Sequence, residues 1–273
     1  MEHRKIAFIG AGNMSKSIIS GLVNNGYPAT AIFASNSSRP KLEVLQNDLG
    51  IHISQSNTEV VEKCEVIVLA VKPQLMAQMC EDLAASCKLD GKLFISIAAG
   101  LPIKRLQDML KGQDKVIRTM PNTPSALGKG MTGLFAPDNI TQADKNYAAQ
   151  LLKHVGEIAW VKQESLIDSV IAAAGSSPAY FYAFLEAMQQ EAERQGLDHD
   201  TAWLLVQQAM LGAAEMVCHN PQLEISELRA QVTSKGGTTA KALESFAALD
   251  LNGIVAKSMQ AAVARAQEMA TTF

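Results

Sequence analysis

The chain begins with an apolar run over residues 5–9, Lys5-Ile6-Ala7-Phe8-Ile9, which stops at Gly10-Ala11-Gly12. It then passes into a helical pattern over 13–24, with Met14, Ile18, Ile19 and Leu22 on one face. A strand without polar alternation is buried on both faces, and such strands belong to parallel sheets covered by helices. This junction commits the first half of the chain to an α/β architecture. Further apolar runs at 31–34, 66–71, 93–97 and 116–118 alternate with helical patterns such as 39–49. They predict a doubly wound, mostly parallel sheet with right-handed crossovers.

The pattern changes near residue 163. From Glu164 onward there are no β-branched runs, and alanine- and methionine-rich helical stretches follow at 165–174, 178–195, 200–217, 239–249 and 254–269. Gly196 and Asn220-Pro221 punctuate them. The expected division is therefore an α/β dinucleotide-binding domain of Rossmann type over 1–163 and an all-helical domain over 164–273. The net charge of −3 gives no electrostatic reason to expect nucleic acid or an anionic membrane. No apolar run reaches the roughly 20 residues of a membrane span, and residues 1–5 lead into a strand without a secretory core. Cys64, Cys80, Cys87 and Cys218 form no CxxC, and the five histidines form no HxxxH or HxH pair. Reduced thiols in a cytoplasmic protein, with no metal site, are the expectation.

Several motifs fall where chemistry would be placed. Gly10-Ala11-Gly12-Asn13-Met14-Ser15 follows a strand and opens a helix, the context in which glycines bring backbone N–H groups to a pyrophosphate. Ser15 stands where glycine or alanine is usual. The end of the second strand reads Ser35-Asn36-Ser37-Ser38-Arg39, with no acid to accept from a ribose 2′-hydroxyl. Hydroxyls and a guanidinium favour a 2′-phosphate, hence NADP(H) over NAD(H). The other reading of Arg39 is a solvated charge on the first turn of the next helix. Val71-Lys72-Pro73-Gln74, Ser96-Ile97-Ala98-Ala99-Gly100 and Arg118-Thr119-Met120-Pro121-Asn122-Thr123-Pro124 follow three further strands, and together they predict a cleft. In the helical half, paired glycines in Ser234-Lys235-Gly236-Gly237-Thr238-Thr239 precede a helix. They form either an anion-binding nest or an ordinary helix cap.

The six motifs, in their order and spacing, resemble those of the pyrroline-5-carboxylate reductases. They are GAGNM at 10–14, AVKP at 70–73, SIAAG at 96–100, RTMPNTP at 118–124, GSSPAY at 175–180 and SKGGTT at 234–239. Lys235 replaces a proline common in the last motif, and 220–231 lacks a His-Pro-Gly often present there. The resemblance implies reduction of the cyclic imine L-1-pyrroline-5-carboxylate to L-proline by NADPH or NADH, the last step of proline biosynthesis. It places the cofactor on Ile9, Gly10, Ala11, Gly12, Asn13 and Met14, with Asn36, Ser37 and Arg39 toward the 2′-phosphate. Asn57, Val71, Lys72, Pro73, Ala98 and Ala99 would line the path to the nicotinamide. The substrate would lie on Ser234, Gly236, Gly237, Thr238 and Thr239, with Glu164 nearby and Thr239 at the ring nitrogen. The resemblance also implies a homodimer with intertwined helical domains, and a larger ring of dimers in some members.

Two rivals fit the first half of the chain. A 3-hydroxyacid dehydrogenase would carry a catalytic lysine on the first interdomain helices, yet 165–195 contains no lysine. A non-catalytic sensor of the NADP(H) ratio would not need the 234–239 loop. A protonated imine is already a good hydride acceptor, so a site without His or Cys suits the reductase chemistry.

Overall fold

The computed structural model describes residues 3–272. Eight strands form one sheet: β1 (Ile6–Ile9), β2 (Ile32–Ser35), β3 (His52–Ser54), β4 (Val66–Leu69), β5 (Leu93–Ser96), β6 (Val116–Met120), β7 (Gly130–Phe135) and β8 (Gly156–Trp160). Their spatial order is β3-β2-β1-β4-β5-β6-β7-β8. All neighbouring pairs are parallel except β6 with β7. The helices of this half are α1 (Asn13–Asn24), α2 (Arg39–Leu49), α3 (Asn57–Glu62), α4 (Met76–Ser86), α5 (Ile103–Met109) and α6 (Gln142–Lys153). Six more follow: α7 (Leu166–Val170), α8 (Ser177–Arg194), α9 (His199–His219), α10 (Ile225–Gln231), α11 (Thr238–Ala248) and α12 (Leu251–Thr272).

The two-sided burial predicted for the first strand is literal. Ile6 and Phe8 enter one hydrophobic cluster with Ile18, Ile19 and Leu22 of α1. Ala7 and Ile9 enter the cluster on the opposite face, with Met76, Cys80 and Leu83 of α4. Successive side chains of a strand point to opposite faces, so an unbroken apolar run feeds two cores at once.

The sequence pattern names no element at β3, β7, β8, α3, α4, α5, α6 or α10. In β7 the signal is weakened by Gly130 and Gly133. Gly133 is required by packing, because a Cβ there would stand 2.6 Å from Val170 Cγ1. Helix α6 is polar on its outer face and begins with Thr141, whose hydroxyl accepts from Asp144 N at 3.1 Å.

By contacts the chain forms two compact units, one holding the sheet through residue 178 together with 261–273, the other comprising 179–260. The sequence reading divides at 163/164. Residues 164–178 pack with the sheet unit because Ile167 is buried and Val170 covers Gly133. After α7 the chain makes a π-turn, Ile171–Gly175, closed by Ser176 N donating to Ile171 O at 2.8 Å. The last turns of α12 also belong to the sheet unit. Ala266 is buried there, and Met269 lies so close to Gly100 that a Cβ on Gly100 would stand 2.5 Å from Met269 Cβ.

A polar clamp ties the start of β1 to α6. Arg4 Nη1 donates to Asp144 Oδ1 at 2.7 Å, and its guanidinium lies 4.5 Å above the Tyr147 ring. Tyr147 and Tyr27 share a hydroxyl hydrogen bond of 2.9 Å, and Tyr27 donates to Arg4 O at 2.6 Å. Partial burial opposes charge on Asp144, but the Arg4 pair and the Thr141 hydroxyl outweigh it and hold the carboxyl below its usual 3.8. A depressed folded-state value stabilises the fold above the unfolded-state value, and that contribution vanishes as pH falls through the folded-state value. Asp144→Asn should therefore cost about 1.5–3 kcal/mol at neutral pH. Urea denaturation in increasing acid should bring variant and wild type together; a constant gap down to strong acid would contradict the account.

Candidate active site

The strand order reverses direction of growth at β1, with β2 on one side and β4 on the other. At such a switch point the loops leaving the carboxyl ends of neighbouring strands separate and open a crevice. Here Ile9 is level with Ser35 and Leu69, and Leu69 with Ser96. The register therefore brings Gly10, Asn36, Ala70 to Pro73, and Ile97 to Ala99 to one edge.

Gly10 adopts φ +108°, and a Cβ on it would stand 2.8 Å from Ala70 O. Only glycine fits both the conformation and the approach. Its N–H donates to Ser35 O at 2.9 Å, and Ala70 N donates to Ile9 O at 3.0 Å, so three strand ends are tied at one point. Gly12 has different surroundings. It is the N-cap of α1 in ordinary extended conformation, and a Cβ there would meet nothing within 4 Å. No described side chain caps α1, and its first turn carries no acid. The first N–H groups of a twelve-residue helix thus face open space, with the helix dipole behind them.

Ser15, the departure from the usual glycine or alanine, is buried and donates from Oγ to Gly10 O at 2.6 Å. The hydroxyl satisfies a carbonyl that the turn leaves inside the protein. The need for that bond is not readable from the motif alone.

At the end of β2, Ala11 N donates to Asn36 Oδ1 at 3.4 Å, and Asn36 Nδ2 donates to Ser38 O at 3.3 Å. The buried Ser35 hydroxyl donates to Asn57 Oδ1 at 2.7 Å, which fixes Asn57 beside the strand end. Ser37 is exposed, and its carbonyl accepts from Gln55 Nε2 at 3.0 Å. Arg39, on the first turn of α2, is exposed and donates from Nε to Glu43 Oε1 at 2.8 Å. Lys72 is exposed at the start of a short helical turn that begins with Pro73. Ala98 is buried, and its N–H donates to Ser96 Oγ at 3.3 Å.

Glu164 is drawn into the same unit. Its Oε1 accepts from Ile103 N at 2.7 Å and from Arg118 Nη1 at 3.2 Å. Arg118 Nη2 reaches Asp168 Oδ1 at 3.1 Å. Arg118 and Asp168 are charged residues whose part in this cluster the sequence reading does not anticipate. The only signal for Arg118 is a lone arginine in an apolar strand, since charged residues are rarely buried without partners.

The 234–239 loop lies in the other unit and is described by itself. Gly236 adopts φ +74°, and Gly237 is the N-cap of the eleven-residue α11. Gly237 N donates to Ser234 O at 3.0 Å, which closes the turn. No described side chain caps this helix, so Ser234, Thr238 and Thr239 do not serve as ordinary capping residues. Ser234, Thr238 and Thr239 are exposed, with the first N–H groups of α11 beside them. Gly236 is left-handed and Gly237 extended, so the donors suited to a carboxylate are the uncapped first N–H groups of α11 and not an alternating backbone nest.

Comparison with known proteins then gives the lineage. A protein of Vibrio alginolyticus named pyrroline-5-carboxylate reductase is 56% identical over 273 residues, covering 100% of both chains. The chain belongs to the pyrroline-5-carboxylate reductase family. A family model described as pyrroline-5-carboxylate reductase dimerisation matches residues 164–269, and one described as NADP oxidoreductase coenzyme F420-dependent matches 5–100. The Coxiella burnetii pyrroline-5-carboxylate reductase superposes with a TM-score of 0.89 at 38% identity, over 98% of this chain and 99% of that one. The Plasmodium falciparum pyrroline carboxylate reductase, solved with NADP bound, superposes with a TM-score of 0.89 at 28% identity, over 99% of each chain.

The two glycines of the turn are expected to fail differently when replaced. Gly10→Ala should destabilise the fold, because both backbone and neighbour oppose a Cβ. Gly12→Ala should leave the melting temperature within about 2 °C and yet weaken NADPH binding by about 10-fold or more, as the methyl enters the space a phosphate would fill. Fluorescence titration with NADPH, paired with thermal melting, checks both. Wild-type affinity in the Gly12 variant would show that the nucleotide does not approach this turn.

Proposed function

We propose that the protein reduces L-1-pyrroline-5-carboxylate to L-proline by hydride transfer from NADPH, with NADH as a second donor, in the last step of proline biosynthesis. The observation that carries this reading is family membership along the entire chain, together with an intact Gly10 to Met14 turn at the sheet's switch point. The residues present fit a dinucleotide: Gly12 leaves room, α1 offers uncapped N–H groups, and the end of β2 carries no carboxylate.

When bound, the reduced nicotinamide supplies the hydride. The chain's own part is positioning and charge. The Ile9 to Met14 turn holds the pyrophosphate at the uncapped N–H groups that open α1, from Gly12 to Met14, while Gly10 N and Ala11 N brace the turn against Ser35 O and Asn36 Oδ1. Asn36, Ser37 and Arg39 take the 2′-phosphate, for which Arg39 gives up or shares its Glu43 partner. Asn57, Val71, Lys72, Pro73, Ala98 and Ala99 line the path to the nicotinamide, where small side chains admit a flat ring. Gly236 and Thr238 offer N–H groups to the substrate carboxylate on either side of Gly237, whose own N–H closes the turn on Ser234 O, and the Ser234 hydroxyl joins them. The Thr239 hydroxyl hydrogen-bonds the ring nitrogen and, with water, relays a proton to it. Glu164 contributes a carboxylate near the cationic imine.

The helical unit supports a homodimer. On α8 and α9, Phe181, Phe184, Leu205 and Met216 are largely exposed, and α8 has no buried residue. An apolar groove of about 700 Å³ runs between Phe184, Met188, Met210 and Ile225. Exposed apolar surface on this scale marks an association site. A second copy through residues 164–269 is the occupant, in keeping with the dimerisation model matched there. Sedimentation should find no stable monomer at micromolar concentration; an active monomer would refute the assignment. Among the described residues no helix is long and apolar enough to cross a membrane. Burial pushes the Cys64 and Cys80 thiols up to about 12, which keeps them inert and suits a cytoplasmic protein.

Initial rates with NADPH or NADH and pyrroline-5-carboxylate test the mechanism. Thr239→Val should lower kcat by about 10- to 100-fold with little change in NADPH affinity. Arg39→Ala should raise KM for NADPH and leave that for NADH nearly unchanged. Turnover with a 3-hydroxy acid and none with the imine would overturn the function, and equal effects of Arg39→Ala on both cofactors would remove Arg39 from the 2′-phosphate.

A further inference from the structure

Arg118 lies on β6, level with Ser96 of β5, and its side chain is 4% exposed. It therefore cannot touch a ligand directly. Its guanidinium is divided between Glu164 and Asp168, whose side chains are 27% and 15% exposed. Glu164 is thus the most accessible of the three. Both donors that reach Glu164, Ile103 N and Arg118 Nη1, meet the same oxygen, Oε1. The carboxylate is anchored through one oxygen, and Oε2 takes part in neither bond. Ile103 follows closely on Ala98 and Ala99, so the fixed carboxylate stands beside the loop at the end of β5.

Stability does not account for this cluster. Arg118 Nε is buried with no hydrogen-bond partner among the described residues. Buried charge groups that are incompletely satisfied stabilise less than apolar side chains of similar volume. One guanidinium between two carboxylates also leaves one net negative charge, a match for a cationic ligand rather than for a self-contained ion pair.

We propose that Arg118 is a positioning residue for imine reduction: it aims Glu164 at the substrate and, shared with Asp168, sets the cluster to a single negative charge opposite the iminium cation. The proposal rests on the assignment of Glu164 to the substrate. The hydride adds to the imine carbon and the carbon–nitrogen π electrons pass to nitrogen, which cancels the iminium charge; the neutral amine so formed then takes a proton from water and becomes the ammonium that Glu164 faces. The carboxylate binds the cation in both states and takes no proton.

Steady-state kinetics on the full-length enzyme, with NADPH and pyrroline-5-carboxylate each varied, provide the test. Glu164→Gln and Arg118→Met should each raise KM for the imine by about 10-fold, the loss of one charge-assisted contact, with KM for NADPH within about twofold. The double variant should be no worse than the weaker single one, because both act through one carboxylate. Arg118→Lys keeps the charge without the fork and should fall between wild type and Arg118→Met. It carries the comparison if Arg118→Met does not fold. An unchanged imine KM in Glu164→Gln removes Glu164 from the substrate and the proposal with it. A raised imine KM in Glu164→Gln, with Arg118→Lys and any folded Arg118→Met like wild type, leaves Glu164 in place and overturns the role of Arg118. Additive losses in the double variant overturn it as well.

Discussion

The structure hangs on the contact between the backbone of Gly10 and that of Ala70. Two strand ends from separate crossover units meet there without a side chain between them, and Ser35 closes the knot from the third strand through Gly10 N. Everything at the carboxyl edge of the sheet takes its place from this point. Helix α1 starts where it does because the chain has just turned through Gly10. The crevice exists because β2 and β4 lead their following segments away on opposite sides. The buried Ser15 hydroxyl then satisfies the carbonyl that so tight a turn leaves inside, donating to Gly10 O.

Most of the sheet could be read in advance, for a physical reason. Strands β1 and β4 are apolar throughout, and β5 as far as Ser96, because both faces are covered, and runs such as Val66-Ile67-Val68-Leu69 carry that signal undiluted. The same logic fails at the far edge. Strand β8 is only partly buried along its length, and β7 carries two glycines, one of them imposed by Val170. Neither presents the pattern of a covered strand. The helices after Glu164 were legible in kind and nearly in extent, since Gly196 and Asn220-Pro221 interrupt an otherwise strong helical composition. The π-turn before Ser176 was not, because an extra residue in a helical turn changes no residue type.

The candidate site was legible to the degree that it is built from backbone rather than from side-chain partnership. Glycines at 10, 12, 236 and 237 announce themselves by identity and position. The Arg118 cluster does not, since its members are 46 and 50 residues apart and meet only when β6 and α7 are packed. A motif marks what a ligand touches; the groups that hold those groups still are scattered along the chain.

The return of the chain to the sheet unit after residue 260 has a consequence for biogenesis. The helical excursion leaves at 178, and the turn of α12 that bears Met269 comes back to cover Gly100. On the ribosome the sheet can pair its strands long before this happens, but the loop at Gly100 stays uncovered until the chain through Met269 has been synthesised and has cleared the exit tunnel. A late-made turn of α12 is thus the lid over a loop made much earlier, and folding of the α/β half cannot be completed domain by domain in the order of synthesis.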